Sequence, residues 1–149
     1  MEEALYLQQQ LCFPLYAAAR LTMQVYEPHL KAIGLTYPQY LVMLVLWEHH
    51  ELSVTEIAER LLLDTNTITP LLKRLEEKAM VQRRRNLHDE RKVLVSLTSK
   101  GKRLKMKAKL IPEALRRHLL KAGLHLSDLR ELKQLTDQFV TRMQLSAAP

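Results

Sequence analysis

The chain has one cysteine, Cys12, and this residue carries its most reactive chemistry. The thiolate is the reactive form, and an ordinary free thiol is only about 3% ionised at pH 7. A sensing thiol therefore needs neighbours that favour its anion. Two features offer this. Pro14 suits a first helical turn, so Cys12 sits near a helix start or a kink. The phenols of Tyr16, Tyr26 and Tyr37 are hydrogen-bond donors, with Tyr16 one turn beyond Cys12. By residue type alone, a lone cysteine on an apolar stripe is more often a buried small hydrophobe. No second cysteine exists to resolve an oxidised one within the chain. A sulfenic acid at Cys12 would be trapped by a small external thiol or climb the oxidation ladder; a Cys12–Cys12 link between subunits is formally open.

A second group of residues suits nucleic acid. Thr65, Asn66, Thr67 and Thr69 are short, polar and able to donate or accept at base edges. Pro70 and Lys73 share their outward side, with Arg74 beside them, and Lys73 and Arg74 lie within reach of a phosphate backbone. Arg83, Arg84, Arg85, Arg91 and Lys92 follow. An arginine at a loop tip can enter a narrow, negative minor groove. Asp89, two residues before Arg91, is expected to orient that guanidinium.

Other chemistries find little support. Three glycines leave no room for a phosphate-cradling loop, and one cysteine excludes a disulfide framework or a CxxC metal knuckle. Glu48-His49-His50-Glu51 is the one cluster that suggests a metal. Adjacent helical residues diverge by about 100°, so a polar helix end is the better reading. No metal, cofactor or catalytic constellation is expected. The start, Met1-Glu2-Glu3, has no basic leader, and the longest apolar run, Tyr40 to Trp47, is eight residues; a cytoplasmic protein without a membrane role is expected.

Charge is uneven. Residues 1–63 hold 3 Lys/Arg against 7 Asp/Glu, residues 64–98 hold 8 against 5, and residues 99–149 hold 12 against 4, within a formal total of +7. A basic back half fits a polyanion, nucleic acid first. The run from Lys100 to Lys109 is either the wet side of a helix or added attraction for DNA.

The elements that must position these residues follow from spacing. Leu11, Leu15, Ala18, Thr22 and Val25 form one helical stripe, and Cys12, Tyr16, Ala19, Met23 and Tyr26 a second beside it. A helix so widely apolar lies in a core or against another subunit. Thr36 predicts a helix start running to about His49, and Ser53-Val54-Thr55-Glu56 reads as a capping box for a short helix ending near Leu61. Another helix is expected from Thr65 to about Ala79, then strands over Val81 to Arg85 and Lys92 to Leu97 joined by a six-residue polar loop. Thr98 or Ser99 caps a basic helix, Gly123 suits a helix end, and Ser127-Asp128 opens a last amphipathic helix. Helix, tight turn, helix and basic ribbon form the winged helix-turn-helix order, in which the second helix enters the major groove N-terminus first. The expected architecture is mainly α: an N-terminal dimerisation and sensor region (1–34), a winged helix-turn-helix DNA-binding domain (35–98) and C-terminal dimerisation helices (99–149), in one compact unit.

Several motifs stand together in order: Leu11-Cys12-Phe13 with Leu15-Tyr16, Leu35-Thr36-Tyr37-Pro38-Gln39-Tyr40, Leu63-Asp64-Thr65, Thr69-Pro70-Leu71-Leu72-Lys73-Arg74-Leu75, and Asp89-Glu90-Arg91 before Val93-Leu94-Val95-Ser96-Leu97-Thr98. Over about Gln10 to Thr98 the chain resembles the MarR family of dimeric winged-helix regulators, and within it the one-cysteine repressors that respond to organic hydroperoxides. Pro14 departs from the most familiar form of the cysteine motif. The resemblance implies a homodimer on pseudo-palindromic double-stranded operator DNA, bound when Cys12 is reduced and released on oxidation, with an organic hydroperoxide and a small thiol as reactants. It also implies that Tyr26 and Tyr37 of the partner subunit hydrogen-bond the Cys12 sulfur, with Tyr16 in a lesser role. Two rivals share the fold: a regulator released by a small phenolic or lipophilic ligand, and a general oxidative-stress or virulence regulator.

Overall fold

The computed structural model describes residues 2–147. Two short 3-10 turns, Glu2–Leu5 and Leu7–Gln9, precede α1 (Cys12–Ala32). This helix runs on through Pro28, whose missing N–H leaves the Gln24 carbonyl without its helical donor. It stops at Gly34, which adopts φ 74°, with Leu35 N donating to Leu30 O and Gly34 N to Lys31 O, both at 3.0 Å. This paired closure needs a left-handed residue, and glycine takes that conformation without steric penalty.

Thr36 caps α2 (Tyr37–His49) in a capping box with Gln39, and Pro38 stands in the first turn. Ser53 caps α3 (Val54–Leu61) in the same way: its N–H donates to Glu56 Oε2 at 2.7 Å, and Glu56 N returns to Ser53 Oγ at 3.2 Å. The Ser53 hydroxyl and N–H hold the Glu56 carboxyl below the usual carboxylate range. Leu62, at φ 54°, makes the tight turn into α4 (Thr65–Glu77). That helix ends two residues earlier than its sequence pattern suggests, because Ala79 swings to φ 54° and the chain enters the sheet.

The sheet has three antiparallel strands, β1 (Glu51–Ser53), β2 (Val81–Arg85) and β3 (Val93–Leu97), in the order β1-β3-β2. Strand β1 has no counterpart in the sequence reading. Its three residues are too few to show alternation, and its pairing of Leu52 with Val95 is long-range. Ile57, Ile68, Leu72, Leu75, Val42, Met43, Leu46 and Val95 form a core between α2, α3, α4 and the sheet. Each fully buried aliphatic side chain contributes about 1.5–3 kcal/mol.

Thr98 caps α5 (Ser99–Ala108) through Gly101 N, at 3.1 Å. α5 lies against α2: the buried Trp47 Nε1 donates to Gly101 O at 2.9 Å, and Lys105 Nζ to Trp47 O at 3.0 Å. A Cβ at Gly101 would stand 2.1 Å from the Met80 carbonyl oxygen. Gly101→Ala is therefore expected to destabilise the fold by about 3 kcal/mol, the upper end for overpacking. That corresponds to a loss of roughly 6–12 °C in Tm by calorimetry; an unchanged Tm would show that the backbone moves apart freely.

The helices α6 (Leu110–Lys121) and α7 (Leu126–Ala147) complete the chain. Contacts divide it into two compact units, one ending at Ile111 and the other beginning at Pro112, so α5 belongs with the winged-helix elements. In the second unit α7 opens at Leu126, with Asp128 accepting from His125 N at 2.7 Å. Its Leu132, Leu135, Phe139 and Met143 lie exposed at helical spacing. No single helix among the described residues is long and apolar enough to cross a membrane.

Candidate functional site

Cys12 is the first residue of α1 and is exposed. The first N–H groups of a helix lack intrahelical acceptors and carry a partial positive charge, which favours an anion nearby. Pro14 stands in this first turn, so the sequence alternatives of start or kink resolve to a start. Tyr16, one turn on, is 64% exposed. Tyr26 lies fourteen residues along the same helix from Cys12. At 1.5 Å per residue this is about 21 Å, beyond any hydrogen bond within one chain.

The phenols gather at that far end. The Tyr26 and Tyr37 rings lie 5.3 Å apart, Tyr26 and Tyr40 6.1 Å, and Tyr37 and Tyr40 6.4 Å, with Trp47 edge-on to Tyr40 at 6.3 Å. Burial pushes the Tyr26 hydroxyl above its usual pKa, and Tyr37 and Tyr40 push it further. Burial and then Tyr37 do the same for Tyr40. These two phenols are therefore neutral donors throughout the physiological range. Tyr40 is a member of the cluster that the sequence reading missed, although its i, i+3 spacing from Tyr37 carried the signal. Beside Tyr37 runs a groove of about 390 Å³, walled in part by Met23, Leu30 and Leu35 and reached by Arg20 and Lys31.

The winged helix sorts the basic residues. On α4 the buried Ile68, Leu72 and Leu75 turn inward, which leaves Thr65, Asn66, Thr67, Thr69, Pro70, Lys73 and Arg74 exposed. The Thr69 hydroxyl donates to Thr65 O at 2.8 Å, so its proton is already engaged in the helix. Two ribbon arginines are also engaged. Arg83 grips Glu76 through Nε at 2.9 Å and Nη2 at 2.6 Å, and that contact holds the Glu76 carboxyl below its usual range. Arg84 pairs with Glu51 on β1 at 2.8 Å. Arg85, Arg91 and Lys92 are exposed and have no carboxylate partner among the described residues.

At the loop the structure departs from expectation. Asp89 Oδ1 accepts from the backbone N–H of Arg91 at 3.2 Å, and Asp89 O accepts from Lys92 N at 2.9 Å. The carboxylate shapes the turn rather than holding the Arg91 guanidinium, because a two-residue offset suits an Asx turn. The basic helix α5 is divided as well. Lys100 donates to Lys78 O at 2.8 Å and Lys105 to Trp47 O, whereas Lys102, Arg103, Lys107 and Lys109 are exposed.

Residues 24–108 match the family model described as transcriptional regulator SarA/Rot. The organic hydroperoxide resistance transcriptional regulator of Bacillus subtilis is 44% identical over 138 residues, which are 93% of this chain and 90% of that protein. Reduced AbfR bound to DNA superposes with TM-score 0.73 and 34% identity, covering 95% of this chain and 97% of its own. Overoxidised AbfR bound to DNA gives TM-score 0.72 and 34% identity, covering 95% and 98%. With a three-stranded wing, an outward polar α4 and relatives of this kind, the chain belongs to the MarR-type winged helix-turn-helix transcriptional regulators.

Proposed function

We propose that this protein is a dimeric, redox-sensing transcriptional repressor that holds operator DNA while Cys12 is reduced and lets go once an organic hydroperoxide oxidises it. One observation carries the placement of the switch. The thiol stands at one end of α1 and the clustered phenols toward the other, about 21 Å away by helical rise. Two-fold pairing brings each thiol to the partner subunit's Tyr26 and Tyr37. The uncovered apolar side chains of Leu11, just before α1, of Phe13 and Met23 on it, and those of α7 suit such an interface.

In this reading the Cys12 thiolate attacks the distal peroxide oxygen. The S–O bond forms as the O–O bond breaks, and the alkoxide leaves as alcohol with a proton from solvent. The sulfenic acid then condenses with a small thiol, releasing water and leaving a mixed disulfide, or a second hydroperoxide takes it to the sulfinic acid. Either product is bulkier or more polar than the thiolate that the phenols held. The reaction runs once per chain rather than as turnover, so the protein is not an enzyme and works without a cofactor, in the cytoplasm. Asn66, Thr67 and Thr65 face base edges, Thr69 and Pro70 present their apolar surfaces, Lys73, Arg74 and Arg85 meet phosphates, and Arg91 enters the minor groove. Asp89 sets the loop that presents Arg91.

The groove beside Tyr37 favours a second reading, in which a small lipophilic ligand releases DNA without thiol chemistry. Intact-mass measurement of Cys12 after substoichiometric cumene hydroperoxide, run beside a band-shift assay, separates the two. Release in step with added oxygen atoms supports the thiol switch; release with unmodified Cys12 overturns it.

A further inference from the structure

One side chain joins the DNA-reading helix to the turn that carries Tyr37. Lys78 is the C-cap residue of α4. Its Nζ donates to the Gly34 carbonyl at 2.7 Å and to Gln39 Oε1 at 2.9 Å, contacts 44 and 39 residues distant in sequence. Gly34 is the left-handed residue that closes α1. Gln39 is 1% exposed, and the same Oε1 accepts from Thr36 N at 3.2 Å, which completes the cap of α2. Tyr37 is the first residue of that helix. The Lys78 carbonyl accepts in turn from Lys100 Nζ at 2.8 Å, so both its side chain and its backbone are held.

This arrangement differs from ordinary packing. A buried amide oxygen that serves two donors ties their positions together, because losing either leaves its lone pairs desolvated and unmet. The contact is charge-assisted, and the ammonium stands at the C-terminal end of α4, where the helix dipole favours a cation. The cap of α2 and the end of α4 are therefore one hydrogen-bonded unit with Lys78 at its centre.

We propose that Lys78 is a positioning residue that transmits the state of the sensor to the DNA-reading helix. The inference rests on the reading above that oxidised Cys12 acts on the partner subunit's Tyr37. When Tyr37 shifts, the Thr36–Gln39 cap shifts with it, and Lys78 draws the C-terminal end of α4 along. Without the ammonium, α4 keeps its core contacts through Ile68, Leu72 and Leu75 but no longer follows the cap.

Contact between two regions is not itself coupling, which requires a difference between two states. The test therefore compares reduced and oxidised dimers on DNA selected by the reduced wild-type protein from a random library. Dissociation constants are read by fluorescence anisotropy, and Cys12 conversion by cumene hydroperoxide is confirmed by intact mass. In Lys78→Met the ratio of oxidised to reduced Kd is expected to fall to about one, so that most of the wild-type shift is lost, with Cys12 fully converted and the reduced Kd within threefold of wild type. Gln39→Leu cuts the same link from the other side and should behave alike, so a folding failure in one variant leaves the other to decide. Lys78→Arg should restore the ratio. A wild-type ratio in the folded cut variants, or an equal loss of affinity in both states, overturns the proposal: Lys78 would then be a structural tie only. A wild-type protein whose affinity ignores complete oxidation defeats the thiol switch itself, and the relay falls with it.

Discussion

A dimer carrying Cys12→Ser is expected to stay on its operator in cumene hydroperoxide concentrations that strip the wild-type protein off. Its affinity without oxidant should be unchanged. Sulfur is removed from an exposed position at a helix start, where it supports no core packing, so the fold should be indifferent. The oxygen of serine is neither oxidised by a peroxide nor captured by a thiol. In wild type the shift in Kd should fall in the range of about 5–150-fold that allosteric couplings typically span. Anisotropy titrations of the two proteins with and without oxidant measure it. Equal release from both would assign the response to a ligand in the groove beside Tyr37 and leave Cys12 without a role.

The second large effect is expected at the wing. Arg91→Ala should weaken operator binding by about 1–3 kcal/mol and lower the slope of log K against log salt by about 1, as for any lost phosphate or groove cation. Arg83→Ala is the informative contrast. Its guanidinium grips Glu76 and its backbone N–H also donates to that carboxylate at 3.2 Å. It should leave the salt slope unchanged and instead cost about 1 kcal/mol of stability, the upper end for surface ion pairs, since this one is partly buried. A salt slope that falls equally in both variants would show that the Arg83–Glu76 pair opens on DNA.

The two arginines show what tertiary structure adds. In the sequence, Arg83, Arg84, Arg85 and Arg91 are one basic stretch with no internal ranking. Folding places Glu76 of α4 against Arg83 and Glu51 of β1 against Arg84, and these neutralise half of the four. Glu51 reaches its partner only because β1 joins the sheet, and a three-residue strand paired with residues more than forty positions away leaves no local pattern. Asp89 misled for the opposite reason. Its charge suggested a partner for a guanidinium, but the two-residue offset let the nearby N–H compete first.

Local signals, by contrast, were legible. Thr36 at the start of α2 and Ser53 with Glu56 at the start of α3 each satisfy helix-end groups within a few residues of themselves. Such bonds join groups close in sequence, so the residue types themselves announce them. The inward spacing of Ile68, Leu72 and Leu75 likewise dictated which face of α4 is free.

By itself, then, the sequence determined the helices and several of their caps, the winged-helix order, the outward polar face of α4 and the presence of a single thiol. All of these depend on bonds and periodicities spanning a few residues. Only the tertiary structure decided which cations are free, that Tyr26, Tyr37 and Tyr40 form one cluster far along α1 from Cys12, and that Lys78 ties α4 to the cap beside Tyr37. Those facts depend on groups brought together across tens of residues, and the packing that unites them is written in the whole core rather than in any one stretch of chain.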